Sequence, residues 1–462
     1  VVTAMDQKRN PRELGASTQT AKGDDLKQSQ RENILNSLQG RIAGLTINPT
    51  SGAAGAGSQI VLRGFNSLSL DNSPLFVIDG IIADNSTVNE TSGGGSQLGL
   101  ASDRPNRAND YSNRMADINP DDIESITVLK GPEATALYGS QASSGAIIIT
   151  TKKARTSKGL RINYDNSFRI SKQTRLPENF NKYMGGTNGL PQDIFAAFGP
   201  AYGDEVKLYD NRNNFFRTGH AQTHNMSVEF GTPKVGFRVS GSVFNQSSVI
   251  PNNDLKRYTA RFSNTTKIGK KIEITPSFTY TNTTNNKVLR GASGYLLNLL
   301  VWPVDDDIRN YQTDDGLKKP LYNQNPNGEL DNPLYNVNKI PSQDKTNRLV
   351  STLGINVTPF DWLTLSGRFG YDTYSTDGYT RFDSMSFYTT RAQKGYQDNY
   401  YRDYYGYNHT LTATAKKKFG NFSTRLMLGN MWQDYETQQY AVSGFNLKSM
   451  NRTDSSNTDS TT

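Results

Sequence analysis

LRINYDNSFRI, residues 160–170, puts Leu160, Ile162, Tyr164, Phe168 and Ile170 on one side of an extended chain and Arg161, Asn163, Asp165, Ser167 and Arg169 on the other. Successive side chains of a strand point to opposite faces, so the stretch reads as a strand with one apolar and one polar face. The theme continues downstream. In HNMSVEF, His224, Met226, Val228 and Phe230 oppose Asn225, Ser227 and Glu229, and in VGFRVSGSVF, Val235, Phe237, Val239 and Val243 oppose Arg238, Ser240 and Ser242. RYTARFS, KIEITPSFTY, LTLSGRFGY, YGYNHTLTATA and FSTRLMLG repeat it. Roughly nine such strands are expected, each of about 9 to 11 residues, the length that crosses a bilayer at a tilt.

The connections alternate as well. The short turns GTPK (Gly231 to Lys234), IGKK (Ile268 to Lys271), TPFD (Thr358 to Asp361) and KFGN (Lys418 to Asn421) alternate with long ones, Ser171 to Ala221 and Asn285 to Lys345 among them. A soluble sandwich also alternates, but it gives no reason for Arg and Asn on the polar face of strand after strand, or for large loops on one side only. A transmembrane antiparallel β-barrel gives both, with the short turns facing the periplasm. An open run of strands leaves edge N–H and C=O groups that lipid cannot satisfy, so further strands are expected beyond DSSNTDSTT at the end of the sequence.

Composition agrees. The 462 residues suggest more than one domain; hydrophobic residues make up 34% and the mean hydropathy is -0.67, with no apolar run long enough for a membrane-spanning helix. A barrel shows lipid only every second side chain and escapes that test. Cysteine is absent, which excludes thiol catalysis, thiolate metal sites and disulfides. Val1 opens neither a signal peptide nor a targeting segment. The net charge of +8 is spread among 43 acidic residues rather than gathered into a basic tail, so nucleic acid is not an expected partner.

Before Gly159 the signals are mixed α/β. Ile34, Leu35, Leu38 and Ile42 recur at helical spacing, with Gly40 and Gly44 placed to end a helix and lead into a strand at Leu45. QIVLRG (Gln59 to Gly64) and PLFVIDG (Pro74 to Gly80) read as buried strands. A polar, Gly- and Asn-rich segment between Ile82 and Asp117 is too long for an ordinary connection. In DIESITVLKGPEATALYGSQASSGAIIITTKK, Asp122 to Lys153, a strand leads to Gly131 and to Pro132 at a first helical position. Gly139 falls where that helix needs a left-handed residue to stop, and AIIITT forms a strand buried on both faces.

RGFNSLSLDNSPLFVIDGII followed by ADINPDDIESITVLKGPEATALYGSQASSGAIIITTKK resembles the plug domain of TonB-dependent outer-membrane transporters of the SusC/RagA family. VVTAMDQKRNPRELGASTQTAKGDDL resembles the start of that plug, and NDLKRYTARFSNTT an early barrel hairpin. The resemblance implies a mainly β protein with an N-terminal α/β plug, residues 1–158, inside a barrel of about 22 strands that begins in residues 159–462. It carries over a plug signature of structural or gating residues: Arg63, Gly64, Asp79, Gly80, Asp122, Glu124, Gly131, Tyr138, Gly139 and Gly145. It also implies TonB-dependent import of a large nutrient, glycan or oligopeptide, across the bacterial outer membrane, with a SusD-like surface lipoprotein as partner. The TonB-binding segment would precede Val1. A siderophore or cobalamin receptor is the same-fold alternative, and a non-transporting adhesin or assembly scaffold the alternative from another class. No enzyme activity and no cofactor are implied.

A wide barrel needs a compact filling, and a polar plug-to-wall interface can exchange its contacts for water more cheaply than a dry one. Arg161, Arg238, Arg257, Arg261 and Arg368 fall on the lumen face, where they could meet Asp121, Asp122 and Glu124 or form a solvated wall. Tyr295, Trp302, Tyr311, Tyr322, Tyr388 and Tyr396 lie in long loops; such rings can stack on sugar faces, or stabilise the loops or an aromatic girdle. Other motifs dissolve. GAAGAG, Gly52 to Gly57, precedes a strand where a dinucleotide site needs a helix, and KGPEATALYGS lacks the Gly-Lys-Ser/Thr of a phosphate loop. His220 and His224 lie about 13 Å apart along a strand. Asp305 to Asp307 reads as a solvated loop rather than a calcium site, so no metal is expected.

Overall fold

The computed structural model describes residues 2–3, 7–8, 18–29, 33–65, 72–86, 112–178, 181–191, 195–291, 294–321, 329–387, 394–420, 422–449 and 452–461. A two-stranded ladder, β1 (Val2–Thr3) and β2 (Gln7–Lys8), opens the chain. The first folded unit is a five-stranded sheet in the order β3 (Thr18–Lys22), β8 (Ile123–Leu129), β9 (Ala146–Thr151), β6 (Leu75–Ile78), β7 (Ile81–Ala83). β6 and β9 run parallel and the other neighbours antiparallel. β4 (Leu45–Pro49) and β5 (Ser58–Leu62) form a separate hairpin.

β9 is buried on both faces. Ile147 and Ile149 join a core with Ile34, Leu35, Leu38, Ile60 and Leu62, and Ile148 joins Ala134, Tyr138 and Ala142 on the other side. Those last residues come from α2 (Pro132–Tyr138), which follows α1 (Gly23–Lys27) in the chain, and from the turn after α2. Gly139, at φ +73°, ends α2, and its N–H bonds to Thr135 O at 2.8 Å. The helix expected around Ile34–Ile42 is instead a short 3-10 helix, Ile34–Leu38, capped by Asn33, whose side chain accepts from Leu35 N. The turn ends at Gln39, whose ψ of 128° leaves the helical region, and at the left-handed Gly40. Asp79 and Gly80, at φ +50° and +89°, form the two-residue hairpin turn between β6 and β7, where Ile78 pairs with Ile81. Positive φ at both positions is the type I′ geometry that Asp-Gly favours.

A linker carries the chain into a ten-stranded antiparallel sheet in sequence order. Its strands are β10 (Gly159–Ser171), β11 (Gly219–Gly231), β12 (Val235–Ser247), β13 (Asp254–Ile268), β14 (Ile272–Lys287), β15 (Ser342–Phe360), β16 (Leu363–Phe382), β17 (Tyr396–Phe419), β18 (Phe422–Leu447) and the short β19 (Thr458–Thr461). The long strands run from 13 to 26 residues rather than 9 to 11. The excess lies at the long-loop end, where β18 changes its outward residues from Leu426, Leu428 and Trp432 to Asp434, Glu436 and Gln438, so the apolar band stops well before the strand does. Among the described residues no helix is long and apolar enough to cross a membrane.

Registered pairing fixes the two faces. Leu160, Phe230 and Phe237 share one row, Arg161, Glu229 and Arg238 the next, and the alternation holds across the sheet. Outward rings touch from strand to strand, Phe230 and Phe237 at 5.2 Å and Tyr371 and Tyr407 at 4.6 Å, and Phe360 at the end of β15 stacks on Trp362 of the following turn at 5.6 Å. The inward rows enclose the first unit.

At the far end the described residues of the connections 172–218 and 288–341 build a loop body around Phe215, Leu299, Trp302, Ile308 and Val337. It contains α3 (Asn211–Phe215), α4 (Tyr295–Val301) and α5 (Pro333–Lys339). A buried ion pair, Lys318 to Asp331 at 2.7 Å, ties it together, and Asp331 also accepts from Ser386 Oγ at 2.6 Å and Phe387 N at 2.9 Å.

Candidate functional site

The inward face of the sheet meets the five-stranded unit through polar contacts at several heights. At one, Arg238 of β12 donates from Nη1 to Asp122 Oδ1 at 3.1 Å while Ser240 Oγ donates to the same oxygen at 2.7 Å. Arg238 and Asp122 are each 4% exposed, and Arg238 also lies 3.4 Å from Glu229 of β11. At a second, Asp79 accepts from Thr151 N at 2.8 Å and from Thr151 Oγ1, which in turn accepts from Arg261 Nη2 of β13. Arg261 lies 3.7 Å from the Asp79 carboxylate. The hairpin turn, the end of β9 and the wall are thereby joined through a few side chains.

The densest contact is around Arg348 of β15, which is 2% exposed. Its Nε and Nη2 grip Asp372 of β16 at 2.9 and 2.7 Å, a two-pronged bond within the wall. Its Nη1 donates to Arg114 O at 2.6 Å, and Nη2 to Asp84 O at 3.1 Å, both backbone groups of the enclosed unit. Asp117 stands 3.7 Å from Arg348 and 3.3 Å from Arg114. Asp84 returns the contact: its N–H donates to Asp372 at 3.2 Å and its carboxylate accepts from Tyr374 Oη at 2.7 Å. Asn408 donates to Ile82 O at 3.1 Å, and Arg257 to Ala116 O. Apolar packing also crosses the interface: Ala54 of the enclosed unit clusters with Ala221, Phe244 and Leu255 of the wall, and Met431 packs against the core around Ile148. Ile81 fills the space above Gly370, where a Cβ would lie 2.3 Å from Ile81 Cγ2.

The arginines expected at this interface divide. Arg238, Arg257 and Arg261 reach it; Arg368 instead bonds Asn356 at 3.2 Å and Gly367 O at 3.0 Å within the wall. Arg161 has the inward register but is exposed, because it lies on β10 at the edge of the sheet. Of the carboxylates, Asp122 meets Arg238 as expected, Asp121 pairs with Lys27 of the same unit, and Glu124 is exposed. The pairing of β8 with β9 slips between Ile123 and Ser125, so Glu124 is the bulged residue. Arg348, Asp372, Asp84, Asp117 and Tyr374 were not singled out in the sequence. The available signal was the period-two pattern continuing through NRLVSTLGINV, which places Arg348 on the polar face.

The remaining signature residues shape the backbone. Arg63 and Gly64 form a left-handed pair after β5, at φ +60° and +89°. Gly131 caps α2, Tyr138 is 3% exposed in the core, and Gly145, at φ +92°, leaves room for Leu62 and Leu129 O.

The loop rings pack against protein. Tyr295 stacks on Phe215 at 5.0 Å, and burial pushes its phenol up to about 12. Trp302 is 3% exposed and donates to Asp306 at 3.0 Å. Tyr311 meets Tyr335 edge-on at 6.4 Å, and Tyr396, the first residue of β17 rather than part of a loop, sits between Phe382 and Phe445 at 4.7 and 5.7 Å. Tyr322 and Tyr388 lie outside the described residues. Tyr295 and Trp302 therefore serve the loop body, whose apolar interior needs rings of that size. Among the described residues no cluster of His, Asp and Glu could hold a metal ion.

Residues 10–146 match the family model described as the TonB-dependent receptor plug domain. The TonB-dependent receptor SusC of Bacteroides thetaiotaomicron is 32% identical over 251 residues, 54% of this chain and 22% of that protein. A TonB-dependent receptor of Formosa agariphila is 22% identical over 435 residues, 90% of this chain and 40% of its own. The structure of the RagAB peptide importer in its closed-closed state superposes with a TM-score of 0.72 at 18% identity, covering 97% of this chain and 51% of that one.

These matches support a TonB-dependent receptor of the SusC/RagA type.

The five-stranded unit is thus the plug of a TonB-dependent receptor, and the ten-stranded sheet is barrel wall of the bacterial outer membrane. The relatives of this receptor are transporters, not enzymes. The chain spans between about a fifth and a half of the length of the relatives and structures described.

Proposed function

We propose that this receptor imports a large nutrient, a glycan or an oligopeptide, by releasing the plug from the wall when the TonB complex acts on a segment upstream of Val1. A SusD-like lipoprotein at the loop end captures the cargo. The observation that carries this reading is the character of the plug-to-wall contacts. Asp122, Asp79, Asp84 and the carbonyls of Arg114 and Ile82 meet Arg238, Arg261, Arg348, Tyr374 and Asn408, and every one of those bonds can be remade with water. A plug held by dry packing would expose apolar surface each time it moved, at about 25 cal/mol per Å².

Barrel strands and plug divide the work. The wall stays closed through its strand ladder, while the signature residues Asp79 and Asp122 join plug folding to plug docking, since each bonds within or beside the plug sheet and also to the wall. The test is growth of cells carrying the full-length receptor on a glycan or an oligopeptide as the limiting nutrient, with and without TonB. Growth that depends on both receptor and TonB supports the reading, and equal growth without TonB contradicts it. Dependence on a siderophore or cobalamin alone would assign the receptor to that cargo class instead.

A further inference from the structure

The short-turn end of the wall carries an exposed basic rim. Lys234 lies in the turn after β11, Lys270 and Lys271 form the turn after β13, and Lys416, Lys417 and Lys418 end β17. All six are exposed; in β17 Lys417 shares the outward parity of Leu411, and Lys416 and Lys418 that of the inward Thr412 and Thr414. The amine of Lys271 bonds Pro359 O at 2.9 Å, and that of Lys417 lies 5.2 Å from the ring centre of Phe419. Facing them in these turns is one carboxylate, Asp361; nearby, Glu273 lies at the start of β14, and Glu229, near the end of β11, lies 3.4 Å from Arg238. The acidic runs of the barrel region lie elsewhere, in the loop body and on the far halves of β17 and β18.

The height of the rim is marked by outward rings. Phe360, Trp362, Phe419 and Phe422 are 57%, 50%, 56% and 71% exposed at the same end of the strands. Aromatic side chains collect where hydrocarbon meets headgroup, and a lysine just beyond them can lay its methylenes along the rings and hold its ammonium at phosphate depth.

We propose that this rim binds the headgroups of anionic phospholipids in the periplasmic leaflet. The rim is a ring of point charges on flexible stems rather than a pocket, which suits phosphodiesters that diffuse and exchange. It fixes the depth of the wall by attraction at one end, so that pulling on the plug does not shift the barrel across the membrane. Attraction of this kind acts within about a Debye length and is weakened by salt.

Trp362 serves as the reporter. The full-length receptor is reconstituted with brominated phosphatidylglycerol or brominated phosphatidylethanolamine at equal mole fraction, and quenching of Trp362 is taken as the difference from the Trp362→Phe variant. An association of the anionic lipid about fivefold stronger than the zwitterionic one is expected, falling towards equality in high salt. The variant carrying Lys270→Gln, Lys271→Gln, Lys416→Gln, Lys417→Gln and Lys418→Gln is expected to lose the preference. Its Trp362 should still be quenched by phosphatidylethanolamine, which shows that the wall remains folded in lipid. Equal association in the unaltered receptor, or an undiminished preference in the variant, overturns the proposal. A rim that retains an acidic periplasmic protein and shows no lipid preference overturns it as well.

Discussion

Replacing Arg348 with methionine tests how the plug is held. The arginine makes two bonds to Asp372, which stay within the wall when the plug moves, and two to the plug carbonyls of Arg114 and Asp84 at 2.6 and 3.1 Å. Deleting a hydrogen bond from a charged group costs about 1.5 to 3 kcal/mol. Two such bonds, less the rehydration of the freed carbonyls, set the loss of plug docking at about 2 to 4 kcal/mol. That corresponds to a plug-open population higher by about 30-fold to 1,000-fold. The substitution also strands Asp372 beside Asp117, so Asp372→Asn in the same background should recover part of the loss. Residues 1–462 contain no cysteine, and Ala54 of the plug is buried against Ala221, Phe244 and Leu255 of the wall, so an Ala54→Cys version of the full-length receptor, with any cysteine outside these residues replaced, reacts with a maleimide only when the plug leaves the wall. Where closing outpaces labelling, the labelling rate follows the open population. Arg348→Met should raise it by the factor above. A change within about twofold would refute the reasoning, because it would place Arg348 among ordinary surface substitutions.

Gly370→Val places a Cβ and two methyls where Ile81 now lies, and should cost about 1 to 3 kcal/mol by overpacking. Single-channel recording should show a leak, and Ile81→Ala in the same protein should close it. Asp79→Ala loses the bonds to Thr151 and forces alanine to φ +50°, for about 2 to 4 kcal/mol in plug stability by the same cysteine labelling, whereas Asp79→Asn should lose less because asparagine tolerates the turn. In the loop body, burial raises the pKa of Asp306 above the ordinary value, against the bond from Trp302 and the charge of Lys319. A raised carboxyl favours the folded loop most fully below the unfolded pKa and loses that contribution as pH rises through the folded one. Loop protection from protease should therefore fall over that window, and Asp306→Asn should flatten the dependence.

The wall was legible because each strand separates lipid from water. That demand recurs every second residue and needs no knowledge of neighbours, so Leu160 to Ile170 sufficed to set the period. Strand ends were not legible: once β17 and β18 leave the membrane, pairing continues by backbone bonds while the outward residues turn polar. The plug strands were visible in their β-branched runs and the stop at Gly139, but the segment Ile34–Leu38 shows apolar spacing alone to be ambiguous between an α-helix and a shorter turn. At the interface, parity placed Arg238, Arg257 and Arg261 correctly. It could not tell that Arg161 lies at a sheet edge, nor that a bulge turns Glu124 outward. The Arg348 cluster joins residues more than 230 positions apart, and no local pattern in a single sequence encodes such a meeting.

The account stands on the release of the plug from the wall during import. Asp122 and Ser240 face one another at 2.7 Å across that interface, so Asp122→Cys with Ser240→Cys in the full-length receptor, whose residues 1–462 hold no other cysteine and with any cysteine elsewhere replaced, offers a reversible lock. Import of labelled cargo by cells carrying the locked receptor should stop when the disulfide forms and return when it is reduced. Import continuing at its normal rate with the lock fully formed would contradict the account.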